Sequence, residues 1–362
     1  MRSLTLVLIF AASAGILVWR FHQRIREDPV LLQRLVWQTI RFRFIHRDGL
    51  AESESGKTTS ESQSYALIAA VFMNDKDAFD RVWAWTRENL ERDDGLFAWR
   101  WESGSVTDYH TAPDADEDIA FALIIASKKW SEPRYREEAQ VILKSFWEKD
   151  TSLVAGRRYI TGGDWAQGDE SGAIVNPSYL SPFHYSLFAE YDREHPWESL
   201  IPSSYDILRQ CSGEKGLAKD WCKLDHAGML LETFEFGGKD PNVYSYDAFR
   251  VPFRLAVDYQ NSSSPEAFAL LKASTEWTRT EWETQKKVYA RYHQNGEKAG
   301  PEESPAAYGA LLAAFSMLEH DDAKDLYRAK ISTLRLWLSN PSFYDLAWVW
   351  FGLSFYNGDF RQ

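Results

Sequence analysis

From residue 28 almost to its end, the chain repeats apolar positions with the period of an α-helix. Asp28 is placed to cap a first helix with Pro29 at its opening position, continued by Leu31, Leu32, Leu35 and Val36. A second starts near Ser60, where Tyr65, Ile68, Ala69 and Phe72 fall at the i, i+3, i+4, i+7 spacing of a buried face. A third covers residues 77–90. A fourth begins around Asp114, with Ile119, Ala122, Leu123 and Ala126 at the same spacing. Further helical stretches are predicted at residues 133–149, 177–190, 196–210, 242–260, 264–287, 304–318, 321–338 and 342–355, about twelve in all. Between them lie turn-rich loops at 91–95, 161–164, 213–216 and 295–296. No long alternating run and no βαβ pattern interrupts the series. The Ser-, Glu- and Thr-rich stretch 51–62 is too short for a domain linker and reads as a loop leading into a helix. This pattern predicts an all-α domain whose paired helices close into a ring.

Composition adjusts that picture modestly. Hydrophobic residues make up 44% of 362, enough for a sizeable core. A net charge of −12 repels phosphates and argues against nucleic acid as a partner, though not against a cationic polymer as substrate. Aromatics reach 15%, with 16 Trp and 17 Tyr. Core filling accounts for most of them; the rest suit platforms for the apolar face of a sugar ring. Cys211 and Cys222 lack zinc-site spacing, leaving one short-loop disulfide or two buried thiols. At the N-terminus, Arg2 precedes an apolar or small run at residues 4–19, the length of a signal h-region and slightly short for a membrane span. Residues 1–22 are expected to be a signal peptide or an N-terminal membrane anchor, and 23–362 the catalytic domain. Arg20, Arg24 and Arg26 after the run oppose export of that flank under the positive-inside rule.

Three acidic sites are candidates for chemistry. Glu61 sits at the start of an otherwise apolar helix. Complementing the helix dipole explains it; partial desolvation would also raise its pKa and let it donate a proton near neutral pH. Asp114, Asp116, Glu117 and Asp118 crowd another helix start, where one carboxylate would suffice for capping. A calcium loop is excluded, since Ile119 stands in place of its Gly and Ile125 in place of its closing Glu. Asp247, in Tyr244-Ser245-Tyr246-Asp247-Ala248-Phe249-Arg250, has Arg250 three residues on, within reach of the same carboxylate. A brace at the helix start is the simpler account of that pair. Two carboxylates flanking a glycosidic bond are the minimum apparatus for its hydrolysis, but spacing alone does not bring residues so far apart together.

At these sites the chain resembles glycoside hydrolase family 8. Ser60-Glu61-Ser62-Gln63-Ser64-Tyr65 is similar to the family's S-E-G-Q-S-Y, followed by Asn74-Asp75 and Phe79-Asp80. Asp94-Gly95-Leu96-Phe97-Ala98-Trp99-Arg100-Trp101 resembles its aromatic loop, and Ala112-Pro113-Asp114-Ala115-Asp116 its A-[ST]-D-[AG]-D signature. Asn176-Pro177-Ser178-Tyr179-Leu180 and Ser245-Tyr246-Asp247-Ala248 also fit, so five blocks follow in the family's order. The resemblance implies an (α/α)6 barrel and an inverting mechanism without metal or organic cofactor. It implies that Glu61 is the general acid and Asp247 the general base, and that Asp114 binds and distorts the sugar at the cleavage point. Arg250 and Tyr179 would orient the base and its water; Trp99, Trp101 and Tyr246 are subsite platforms. The acid and base carboxyls are expected roughly 6.5–9.5 Å apart, leaving room for a water.

Ser62 and Ala66 replace glycines of the family pattern, Pro113 replaces Ser or Thr, and His110 stands where related endoglucanases often have Asn. These changes bear on the substrate more than on the chemistry. Retention of the base in the S-Y-D-A block favours a neutral β-1,4-glucan, with chitosan and xylan as alternatives and a polysaccharide-binding accessory role as the non-enzymatic one. The expectation is an exported monomer, periplasmic or extracellular, that trims an exopolysaccharide as it is made, in association with its synthase.

Overall fold

The computed structural model describes residues 20–168, 172–232, 234, 236 and 240–361. The apolar run 4–19 lies outside them. Among the described residues no helix is long and apolar enough to cross a membrane.

Six helices form an inner ring: α2 (Ser60–Phe72), α4 (Pro113–Trp130), α6 (Pro182–Tyr191), α8 (Val251–Ser262), α10 (Pro305–Leu318) and α13 (Phe343–Tyr356). Between them the chain returns along the outside through α1 (Pro29–Arg43), α3 (Lys76–Leu90), α5 (Pro133–Lys149), α7 (Leu200–Cys211) and α9 (Pro265–Gln285). A broken sixth outer element comprises α11 (His320–Leu326), a π-turn and α12 (Leu334–Leu338). Each inner helix packs on its ring neighbours, and α13 returns to α2 to close the circle, with α1 behind it. Phe121 of α4 joins α6 by stacking on His184 at 4.4 Å. This is an (α/α)6 barrel.

The two layers differ in sequence for a physical reason. An inner helix meets protein on every side, so a single apolar stripe does not suffice. Thus α4 is buried from Pro113 through Ala126 and α10 from Ala306 through Phe315. The one-sided spacing read for α2 and α4 therefore understated their burial. Outer helices keep the stripe: α5 buries Tyr135, Ala139, Ile142, Leu143, Phe146 and Trp147 and leaves its charges outside. At the seam between α10 and α13, Gly309 and Gly352 let the backbones touch. A Cβ on Gly352 would stand 2.1 Å from the Gly309 carbonyl oxygen, and one on Gly309 would stand 2.2 Å from that of Trp348.

Several helix starts lie later than the apolar period suggests. The stretch 177–190 opens with a 3-10 turn at Pro177–Tyr179 before α6, and 196–210 opens with another at Trp197–Ser199 before α7. The stretch 242–260 is helical only from the 3-10 turn Ala248–Arg250 onward. Its first residues form strand β8 (Val243–Tyr244), antiparallel to β9 (Tyr292–His293). The remaining strands are short: β1 (Lys57–Thr59), β2 (Arg100–Glu102) and β3 (Ser105–Asp108) in one sheet, and the pairs β4–β5 (Thr151–Val154, Arg157–Ile160) and β6–β7 (Ala173–Val175, Cys222–Leu224). A disulfide joins Cys211 at the end of α7 to Cys222 at the start of β7.

Because an outer helix reverses the chain after each inner one, all inner helices run the same way. Their N-termini gather at one end of the barrel, together with the positive ends of their dipoles. The three acidic sites of the sequence lie at this end.

Candidate active site

Glu61 is the second residue of α2, whose N-cap Thr59 accepts a hydrogen bond from the Ser62 amide. Asp114 is the second residue of α4, with Pro113 before it. Asp247 precedes the 3-10 turn that leads into α8, and Arg250 is the last residue of that turn. The fold brings all four together, and Arg250 is their hub. It is 1% exposed. Its Nη1 donates to Glu61 Oε2 at 2.7 Å, Asp114 Oδ2 at 2.8 Å and Tyr65 Oη at 3.0 Å. Its Nη2 donates to Asp247 Oδ1 and Ser178 Oγ, both at 2.7 Å. Ser178 Oγ passes its own proton to Asn176 Oδ1 at 2.7 Å. The Tyr179 ring lies 5.6 Å from the guanidinium carbon. The sequence reading of Arg250 as a partner of Asp247 is therefore only part of its role, since one planar fork spans all three carboxylates.

Three carboxylates against one guanidinium leave an excess of negative charge in a poorly solvated place. One resolution is to keep a proton. Burial pushes Glu61 up to about 8; Arg250 opposes this, and the charges of Asp114 and Asp247 add to it. About a quarter of the Glu61 side chain and a third of that of Asp247 reach solvent, whereas Asp114 is buried. These two partly exposed carboxyls are bridged by the guanidinium. Burial also raises the hydroxyls of Tyr65 and Tyr179, which stay protonated.

The crowd of acids after Asp114 separates into individual contacts. Asp116 accepts the Phe97 amide at 3.0 Å and lies beside Asp150; burial and the charge of Asp150 raise Asp116, and burial pushes Asp150 up to about 7, with the charge of Asp164 adding to it. Asp118 takes both Nη atoms of Arg254, at 2.7 and 2.8 Å. Among the described residues, Glu117, Asp118 and His184 form the one group with metal-ligand spacing. Arg254 already occupies the cation position there, 3.9 Å from Glu117.

The aromatic candidates occupy different surroundings. Trp99 is half-buried, and its carbonyl accepts the Ser60 amide at 3.0 Å, one residue from Glu61. Trp101, on β2, is half-buried with its ring 5.4 Å from that of Trp85. Tyr246 is 42% exposed beside Asp247. Its carbonyl accepts the Tyr344 hydroxyl at 2.5 Å. Sequence reasoning passed over Tyr65, Ser178 and Tyr344, and also Asp220, which accepts the Ser245 and Ala248 amides at 2.9 Å. Tyr65 was read as core by its spacing; Ser178 lay within a block already singled out. Tyr344 and Asp220 carried no local signal. A row of rings leads away from Tyr179, which meets Trp221 at 5.7 Å; Trp221 in turn stacks on Phe236 at 4.6 Å and lies 5.9 Å from Trp165.

The chain is similar to known proteins over much of its length. It is 30% identical to an endoglucanase of Cellulomonas uda, across 63% of this chain and 64% of that one. It is 34% identical to an endoglucanase of Xanthomonas axonopodis pv. citri, across 60% and 58%. The chain thus spans about three-fifths of these relatives' length. An Escherichia coli endoglucanase is 26% identical across 82% of this chain and 80% of its own. Among solved structures, a β-1,3-1,4-glucanase from Paenibacillus sp. X4 superposes with a TM-score of 0.82 at 21% identity, covering 92% and 93% of the two chains. Endoglucanase Cel10 of Klebsiella pneumoniae, a family 8 glycosyl hydrolase, gives 0.71 at 25% identity, covering 84% and 98%. The model of one family, glycosyl hydrolases family 8, matches residues 28–293, which contain Glu61, Asp114, Asp247 and the arginine that joins them. With its barrel and the match across most of its length, the chain belongs to glycosyl hydrolases family 8.

Proposed function

We propose that this protein is an inverting, endo-acting glycoside hydrolase that cleaves a β-1,4-linked glucan. The observation that carries the reading is Arg250, joined to three carboxylates of which Glu61 keeps a proton near neutral pH. Glu61 gives that proton to the glycosidic oxygen as the bond to the anomeric carbon breaks. Asp247 takes a proton from a water that attacks the same carbon from the opposite face, so one displacement inverts the configuration. Asp114, fixed by Arg250, binds a sugar hydroxyl and holds the ring distorted. Tyr179 and Ser178 steady the guanidinium and, through it, the base. After turnover Glu61 is ionised and Asp247 protonated; the solvent-accessible parts of both carboxyls allow exchange.

Trp99, Trp101, Tyr246 and the row from Tyr179 to Trp165 supply ring platforms along the chain of sugars. The endoglucanases among the relatives support internal cleavage of a β-1,4-glucan over xylan or chitosan. Residues 1–22 act as a signal peptide or anchor and 23–362 as the catalytic domain, exported and monomeric, trimming an exopolysaccharide beside its synthase. The test is a reducing-sugar assay of residues 23–362 on carboxymethylcellulose, lichenan, xylan and chitosan, with Glu61→Gln as control. Release from carboxymethylcellulose that disappears in the variant, with an α-configured first product by NMR, is expected. A β-configured product would refute inversion. Release from chitosan or xylan alone would reassign the substrate.

A further inference from the structure

The base proposed above stands in a turn and has no helix of its own to hold it. Asp247 follows strand β8 and precedes the 3-10 turn, and its side chain caps no helix. What fixes the turn is a second carboxylate from a distant segment. Asp220 Oδ1 accepts the Ser245 and Ala248 amides, both at 2.9 Å, and the Ser245 hydroxyl donates to Asp220 Oδ2. One carboxylate thus grips the residues on both sides of Tyr246-Asp247. It is buried, 8% exposed.

The segment that carries Asp220 is itself held. Its amide donates to the Val243 carbonyl at 2.8 Å, and the Trp221 amide to that of Pro241 at 3.3 Å. On one side the Lys219 amide donates to the Cys211 carbonyl at 3.0 Å; on the other Cys222 is bridged to Cys211. Asp220 is therefore a fixed point on the barrel wall. Nothing else in this contact set would need a charged residue. Burial and the charge of Asp247 work against the Asp220 carboxylate, and its three hydrogen bonds to the turn offset that cost.

We propose that Asp220 is a positioning residue for the hydrolytic water: it holds the Ser245–Ala248 turn so that Asp247 meets Arg250 on one side and the attacking water on the other. This rests on the assignment of Asp247 as general base. Asp220 lies behind the turn and touches no sugar, so its loss acts on kcat and leaves KM nearly unchanged.

The experiment compares Asp220→Ala, Asp220→Asn and Asp247→Asn with the wild type on cellohexaose, each checked by circular dichroism and for cellohexaose binding by calorimetry. Asp220→Ala is expected to lower kcat by about 10²-fold, the cost of a misplacement of about 1 Å, with KM and the binding constant within about twofold. Asp220→Asn keeps an oxygen acceptor for both amides, so it is expected to recover kcat to within about fivefold of wild type. A kcat for Asp220→Ala close to wild type, an equal loss in the Asn variant, or a loss confined to KM would each overturn the inference. If Asp220→Ala does not fold, Ser245→Ala removes only the hydroxyl contact. A fall in kcat of about threefold or more at constant KM supports the role, and an unchanged kcat overturns it. Asp247→Asn separates the two claims: its activity near wild type would remove the base assignment, whatever the Asp220 variants do.

Discussion

Arg250→Met tests the site at its hub. Methionine fills comparable volume but removes every donor, and with them the contacts to Glu61, Asp114, Tyr65, Ser178 and Asp247. Breaking a buried ion pair from one side costs about 3–5 kcal/mol. Three carboxylates lose their cation together, but the terms do not add, because a released carboxyl can take up a proton. The upper half of that range is therefore expected, a fall in melting temperature of roughly 5–15 °C. The proton uptake gives this loss a sign with pH. Arg250 holds the Glu61 carboxyl down, so in the variant Glu61 rises above its present value of about 8. The variant's native state then keeps a proton over a wider range, while the unfolded chain releases it at the ordinary carboxylate pKa. Stability of the variant relative to wild type consequently declines as pH rises through 8. Thermal melts at pH 5, 7 and 9 read this directly, and kcat on cellohexaose falls by at least about 10²-fold as the base loses its bracket. A melting temperature within about 2 °C of wild type at all three pH values would refute the reasoning.

Two further outcomes follow from the same geometry. Activity requires Glu61 protonated, so the alkaline limb of kcat should fall near pH 8, as its raised pKa dictates; a limb near pH 5 would show that burial does not hold the proton. The same group makes wild-type stability decline as pH rises from about 4.5 to about 8, and Glu61→Gln should flatten that slope in thermal melts. Reduction of Cys211–Cys222, which closes a short loop, should lower stability by about 3 kcal/mol, measured by urea unfolding with and without dithiothreitol; an unchanged midpoint would mean that the bridge constrains little.

Much of the barrel was legible because helical periodicity is local. Asp28, Pro29 and the apolar spacing of α1 announce that helix without reference to any other, and Asp28 does accept the Leu31 amide. What periodicity cannot express is burial on two sides. In α4, Asp114, Asp116, Glu117 and Asp118 break the apolar pattern, yet all four are buried. They are tolerated because Arg250, Arg254 and the Phe97 amide arrive from other parts of the ring. The start of α8 was placed too early for a related reason. Residues 243–248 have helix-compatible sequence, but β9 and Asp220 take their backbone groups. Glu61, Asp114 and Asp247 could be named from short blocks. Arg250 as the joint among them could not, since its reach depends on where three helices begin.

The closure of the ring between α13 and α2 also bears on the order of assembly. Tyr65, four residues after Glu61, rests edge-on against Trp348 and Phe351 of α13. Tyr344 of the same helix donates to the Tyr246 carbonyl beside the base. The contacts of Tyr65 with α13 span most of the chain, and contacts of that kind form late because the intervening chain must first give up its freedom. The helices that carry Glu61 and Asp114 can collapse early as near neighbours, but the pocket stays open on one flank until the last inner helix docks. Refolding followed by intrinsic tryptophan fluorescence should therefore run ahead of recovered activity, with the interval set by how fast α13 docks against Tyr65 of α2.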